Sequence, residues 1–542
     1  MNKIIQVSDN SLIVPPGYEK RLLIIPNKGR SLGIHLQAGK GAGKSRFIGR
    51  ILAWLDFIFS VALIILDPLG PSISNFLDKL TRLPSEQQRQ LGKRVRYIDM
   101  SGKAGIVGFP LYYRLGKETL LEISQRYLEV IRTNDPNLQN ASIEGYNSLT
   151  KIGTPLGMIL AALDLQITEA ENLLTNPHLW TSRFEEAIHR YPEVKPAVDF
   201  FTQQYMEWDE ATRIRRTDAF RTKIAAFSYD PLMKAMFGAS QPGLDWDQVV
   251  ANREAVLLDF GNEHNLEQRK FKMMWVFTSF MEWIKHRGAG HHHPPVSFII
   301  DELVSLMNVN TAASAGIFAH NLEELINVYA RNYNIWLTIA HQELYQLDPN
   351  TQKTLLTMGT QIFGSSADID AALTLAKNLF PYDPEKVKRY EPIYSSFQGK
   401  SSVIDYRPIN YTIEEQKYLK AYELKNRNRF EFIVRPATGE GQVSPKLHRV
   451  SIENFDKGIW VDEEVVTQAR AILVKRSSRP ITEVLKEIEA RTAPEKPATI
   501  NTYERPTRTP VSSKRTRPSQ PKTQQNKEQD NDEDDIYFGV HT

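Results

Sequence analysis

The residues Gly39, Lys40, Gly41, Ala42, Gly43, Lys44, Ser45 and Arg46 spell GKGAGKSR, and the Gly-Lys-Ser at its end suits the holding of a phosphate chain. Glycines let successive backbone N–H groups curl around an anion without side-chain clash. Lys44 can reach the outer phosphates of such a chain, and the Ser45 hydroxyl can ligate Mg2+. A helix that starts here would aim its first N–H groups at the same anion. One position departs from the pattern: Ala38 stands where a first glycine is expected, and alanine disfavours positive φ.

A second set of residues complements the loop. VSFII is followed by Asp301 and Glu302, and NIWLTIAH by Gln342. Asp301 can share Mg2+ with Ser45, and Glu302 can orient and deprotonate a water. Gln342 can sense a terminal phosphate or position that water; His341 beside it is the weaker signal. Loop, acids and glutamine together ask for ATP and Mg2+.

These residues need strands and helices to bring them together. GIHLQ (33–37) reads as a strand feeding the loop, and 44–56 as the helix after it. The run ILAWLDFIFSVALIIL is nearly long enough to cross a bilayer, but a span needs roughly 20 apolar residues and Asp56 interrupts this one. It divides instead into that helix and a buried strand over 61–67, closed by the turn DPLG. Strands are also predicted at 94–101, 253–261, 296–300, 335–339, 360–366 and 430–436, with helices such as 265–286 and 318–331 between them. That alternation gives an α/β fold with a mostly parallel sheet. Between the strands near 98 and 256 only helical periodicity occurs, so 112–238 reads as an inserted all-helical domain carrying the basic segment RIRRTDAFRTK (213–223). Residues 1–111 and 239–475 are then the two parts of the core. From 476 to 542 a Pro, Thr, Lys and Arg-rich tail with an acidic, aromatic end reads as disordered.

Bulk composition limits the alternatives. The chain has 542 residues, no cysteine and a formal charge of +3, so disulfides, thiolate metal sites and a cysteine nucleophile are excluded. Any attraction to nucleic acid must come from local patches. The first residues lack the basic and apolar pattern of a secretory leader, and His291, His292 and His293 read as loop.

The order of parts resembles the FtsK/HerA superfamily of ring ATPases, and within it the TraG/TraD-type coupling proteins of conjugative type IV secretion. LDPLG resembles the family's DPKG-like turn with Leu69 in place of lysine, GFPLYYRLG (108–116) its Asn-Pro-Leu approach to the helical domain, and YARNYNIWLTIAHQ its Arg-x-x-Gly approach to glutamine, with Asn334 at the small-residue position. The resemblance covers roughly 20–455. It implies a RecA-like P-loop ATPase core, a homo-hexamer and DNA as the translocated substrate. It also implies an arginine finger from a neighbouring copy, for which Arg331 and Arg435 are candidates, and a relaxase or secretion-channel partner met through the helical insert or the tail. Coupling proteins begin with membrane helices, whereas this chain reaches its loop within forty-odd residues, so the expectation is either a soluble, cytoplasmic version recruited to the inner face of the membrane by a partner or a member of another branch. The alternative is a type IV secretion ATPase that drives protein export or pilus assembly without pumping DNA. A nucleotide-regulated scaffold is a third reading, against which Glu302 argues.

Overall fold

The computed structural model describes residues 12–14, 23–134, 143–290, 293–306, 320–366, 368–397, 400–438, 446–452 and 460–492. Two short strands, β1 (Leu12–Val14) and β2 (Leu23–Ile25), form an antiparallel pair before the main domain. The nine-stranded sheet contains β3 (Ile34–Gln37), β4 (Ala62–Asp67), β5 (Val95–Asp99), β6 (Ala255–Asp259), β7 (Val296–Ile300), β8 (Ile335–His341) and β9 (Thr360–Phe363). A hairpin, β10 (Val387–Phe397) and β11 (Lys400–Asn410), stands apart; β12 (Glu431–Arg435) and β13 (His448–Ser451) complete the main sheet. Its order is β13-β12-β9-β3-β8-β7-β4-β6-β5. From β9 to β5 every pairing is parallel, whereas β12 runs antiparallel to β9 and β13 to β12. This is the α/β, RecA-like core expected from the sequence.

Each predicted strand is a strand of this sheet, for a physical reason. β4, β6, β7 and β8 are buried at every residue, and such continuous apolar runs are unambiguous when both faces are covered. The apolar run after the loop divides as expected. Lys44–Phe47, a π-turn Ile48–Leu52 and Ala53–Ile58 make one continuous helix, α1, and β4 follows. Asp56 is buried within α1, where the Arg30 guanidinium donates to it twice at 2.8 and 2.7 Å. Among the described residues no helix is long and apolar enough to cross a membrane.

After β4 the helix α2 (Pro71–Thr81) returns along the sheet. Between β5 and β6 the regular elements of the described chain are all helical, and α3 (Leu120–Asn134), α4 (Ile143–Ala162), α5 (Glu210–Tyr229) and α6 (Pro231–Gly238) dominate. These helices share one apolar core with the sheet: Tyr127, Leu156, Phe220 and Phe237 join Ile64, Leu66 and Phe298 in a single cluster. The insert is packed on one face of the sheet rather than tethered to it. On the other face α1 and α2 pack through Phe47, Trp54, Phe57 and Phe76.

Two features depart from the sequence reading. The hairpin β10–β11 lies between α7 (Ile369–Leu379) and α8 (Ile413–Lys425). One of its faces carries the ion pairs of Glu391 with Arg389 and Arg407; the other exposes Tyr390, Tyr394 and Tyr406. The tail expected to be disordered from 476 is also ordered further than that. The helices α9 (Glu463–Ser477) and α10 (Ile481–Thr492) belong to the fold. Val484 and Ile488 are buried in the insert's core, and Arg491 pairs with Glu169 at 2.9 Å. Apolar residues at 481, 484, 485 and 488 have helical spacing, which the proline-rich composition just beyond obscured. Residues 493–542 lie outside the described residues.

Candidate nucleotide site

The parallel strands deliver their C-terminal ends to one rim, where ligands of open α/β sheets bind. β3 leads into the glycine loop, and α1 leaves it at Lys44. Gly43 has φ of +103°, and a Cβ there would sit 2.3 Å from Phe430 Cδ1, so glycine is required twice over. Ala38 needs no left-handed backbone: it is absent from the positive-φ residues, and its N–H donates to the His341 carbonyl. The departure from the loop pattern is thereby accommodated.

β8 lies between β3 and β7, and this order builds the site. It sets Gln342 between the loop and the acids that follow β7. The Lys44 ammonium donates to Glu302 Oε2 at 2.6 Å and lies 3.2 Å from Asp301 Oδ1. Gln342 Nε2 donates to the same Glu302 oxygen at 3.0 Å. Ser45 Oγ donates to Asp301 Oδ2 at 3.1 Å, and Ser72 Oγ to that oxygen at 2.6 Å. Burial opposes charge on Lys44, but Asp301 and Glu302 outweigh it and hold the ammonium above its ordinary pKa. Glu302 has φ of +65°, a left-handed conformation rare for a non-glycine residue and concentrated at functional sites.

The DPLG turn supports this centre. Asp67 accepts from the N–H groups of Leu69, Gly70, Ser72 and Ile73, at 2.7 to 3.1 Å. Gly70 is left-handed at φ +88°, and Pro71 opens α2. Burial, with the Asp301 and Asp259 carboxylates nearby, pushes Asp67 up to about 7, against the backbone donors that favour its charged form. Such crowding of buried carboxylates fits a divalent cation. Asp301 Oδ1 is buried, with the Lys44 ammonium 3.2 Å away but no aligned hydrogen bond, so Ser45 and Asp301 are suited to hold Mg2+.

Beneath the loop lies a polar chain within the sheet. Gln361 Nε2 donates to two backbone carbonyls, leaving Oε1 to accept from His35 Nδ1 at 2.6 Å. His35 Nε2 is 2.7 Å from His341 Nε2, so one ring donates and the other, necessarily neutral, accepts. Burial lowers His35 to about 4 and His341 well below its ordinary value. His341 is thus a structural member of the sheet, behind Gln342.

The cavity over the loop measures about 510 Å³. The loop residues Gly39 to Gly41 and Gly43 to Arg46 line it, with Asp301, Glu302 and Gln342. Arg331 and Arg435 do not. Arg435 pairs with Gln361 and Arg331 precedes β8, so both lie toward the sheet's opposite end. Neither lines the cavity of its own chain. Asn334, at the family's glycine position, has φ of +57°, which asparagine tolerates better than most residues. Sequence reasoning missed the far wall, made by Arg429, Phe430, Trp460 and Glu463. No spacing rule links these residues to the loop; the antiparallel return of β12 beside β9 brings Arg429 and Phe430 there, and the chain after β13 brings Trp460 and Glu463.

No family model matches the chain, and no curated protein does. Solved structures do. The bacterial conjugative coupling protein TrwBΔN70, in an unbound form, aligns with a TM-score of 0.47 at 11% identity, covering 81% of this chain and 87% of that one. TrwB in complex with ADP and Mg2+ aligns at 0.46 and 13%, covering 81% and 88%. VirB4 of Thermoanaerobacter pseudethanolicus aligns at 0.49 and 13%, covering 82% and 97%. The chain is similar in fold to conjugative coupling proteins and to VirB4.

Proposed function

We propose that this chain is an ATP-hydrolysing ring motor of the TraG/TraD type that moves DNA. The observation that carries the ATPase part is the convergence of Lys44, Ser45, Asp301, Glu302 and Gln342 within hydrogen-bond distance of one another. The loop N–H groups and Lys44 bind the phosphates. Ser45 and Asp301 hold Mg2+, which when bound neutralises charge on the outer phosphates. Glu302 accepts the proton of the attacking water, and Gln342, already bonded to Glu302, orients that water toward the terminal phosphate. A neighbouring copy in a hexamer would supply the arginine, with Arg331 and Arg435 as candidates.

DNA as the substrate is supported by α5, where Arg215 and Arg216 are exposed on a helix that also carries Arg213, Arg221 and Lys223. A second reading, a secretion motor acting on protein, is favoured by the uncharged tyrosine face of the β10–β11 hairpin. Hydrolysis by the purified chain with and without single- and double-stranded DNA, at low and moderate salt, decides between them. The DNA motor predicts stimulation that falls as salt rises. Hydrolysis indifferent to DNA at every salt overturns it in favour of the secretion motor.

A further inference from the structure

We propose that the Trp460 indole, with the Phe430 ring and the guanidinium groups of Arg46 and Arg429, is the platform on which the base of the bound nucleotide stacks. The proposal rests on the nucleotide reading above and assigns the part of the ligand that the phosphate loop does not hold.

The direction of the ligand is set by the loop. In such loops the lysine serves the outer phosphates and the backbone beyond it the inner ones. Glu302 and Gln342 therefore mark the terminal-phosphate end, and the sugar and base continue past Ser45 and Arg46. On that side the wall becomes aromatic. The Arg46 guanidinium lies 5.1 Å from the centre of the Phe430 ring and 5.6 Å from that of Trp460. Arg429 lies 4.6 and 5.2 Å from the same two rings. Phe430 and Trp460 are 6.2 Å apart and tilted by 59°.

This wall is built rather than incidental. Phe430 holds a left-handed backbone at φ +67°, which a bulky residue adopts only when its surroundings enforce it. The enforcing contacts are its N–H, which donates to the Ala42 carbonyl of the loop at 2.9 Å, and its carbonyl, which accepts from Ile452 N–H at 2.9 Å. The ring is thereby pinned against Gly43. Trp460 is 60% exposed while lining the cavity, so much of its indole, flanked by the two guanidinium groups, is accessible to whatever occupies it. Aromatic and guanidinium faces stack on nucleobases, and they do so without reading base edges.

The test is binding of Mg-ADP and of Mg-tripolyphosphate, which lacks a base, to the full chain and to its Trp460→Ala and Trp460→Phe variants. Trp460→Ala is expected to weaken ADP binding about tenfold or more and leave tripolyphosphate unchanged, with Trp460→Phe recovering most of the loss. ADP, but not tripolyphosphate, should quench the tryptophan emission that Trp460→Phe removes from the chain's eight tryptophans. Equal loss of both ligands in Trp460→Ala, or ADP binding as tight as in the parent chain, overturns the platform while leaving the phosphate site standing. If the parent chain holds neither ligand, the nucleotide reading fails and the platform falls with it.

Discussion

Glu302 is where the chemistry of this chain is most open to test. Its carboxylate is bonded both to Lys44 and to Gln342, and its backbone is left-handed to place it there. Glu302→Gln keeps the shape and the contact with Gln342 but removes the base. The variant should bind ATP like the parent and hydrolyse it about 10²- to 10⁴-fold more slowly. Turnover within a few-fold of the parent would remove Glu302 from the reaction. The histidine pair below makes a second residue-level prediction. His35 is lowered from 6.5 to about 4, so the unfolded chain takes up a proton below 6.5 that the folded one refuses until about 4. Stability is therefore present above pH 6.5 and is lost as pH falls toward 4. Urea midpoints measured from pH 7.5 to 4.5 should decline, and the decline should be shallower in a His35→Asn, His341→Leu double variant. Parallel curves for the two proteins would assign the acid sensitivity elsewhere.

Among the elements, the β10–β11 hairpin and α10 make opposite predictions. The hairpin's two 11-residue strands pair with each other and with no strand of the main sheet. Its base is already closed, since Tyr411 N–H donates to the Lys386 carbonyl at 3.0 Å. Joining Lys386 to Tyr411 through a two-residue turn should leave the urea midpoint of the remaining chain nearly unchanged. A large drop would mean that the hairpin contributes to the core. Removal of α10 should behave differently. Val484 and Ile488 are fully buried, and Ile106 and Arg479 exchange two backbone hydrogen bonds at 2.8 and 2.9 Å. A chain ending at Ser477 should lose about 3 kcal/mol or more relative to one ending at Thr492, since each buried aliphatic side chain is worth about 1.5–3 kcal/mol. Matching midpoints would return residues 481–492 to the tail.

Across the whole molecule, the local patterns and the tertiary assembly divided the work. The loop, the acids at the end of β7 and Gln342 were legible because each is a short segment whose chemistry depends on neighbours in the chain. The strands were legible because burial on both faces leaves an uninterrupted apolar run, as in ALIILD and IWLTIAH. The hairpin was not, because Tyr, Pro, Ser and Arg alternate on two exposed faces and leave no apolar run to read. Helix α10 was hidden by the proline-rich composition of the residues after Thr492. The residue types that can bind phosphate and activate water, and the strands that end in them, were determined by sequence alone. Tertiary structure alone decided that β8 lies between β3 and β7, so that Gln342 meets Glu302 and Lys44. It alone brought Phe430 and Trp460 to the loop from about four hundred residues away. The physical reason is that strand order and cavity walls arise from contacts between distant segments, and no periodicity within one segment records which others it will meet.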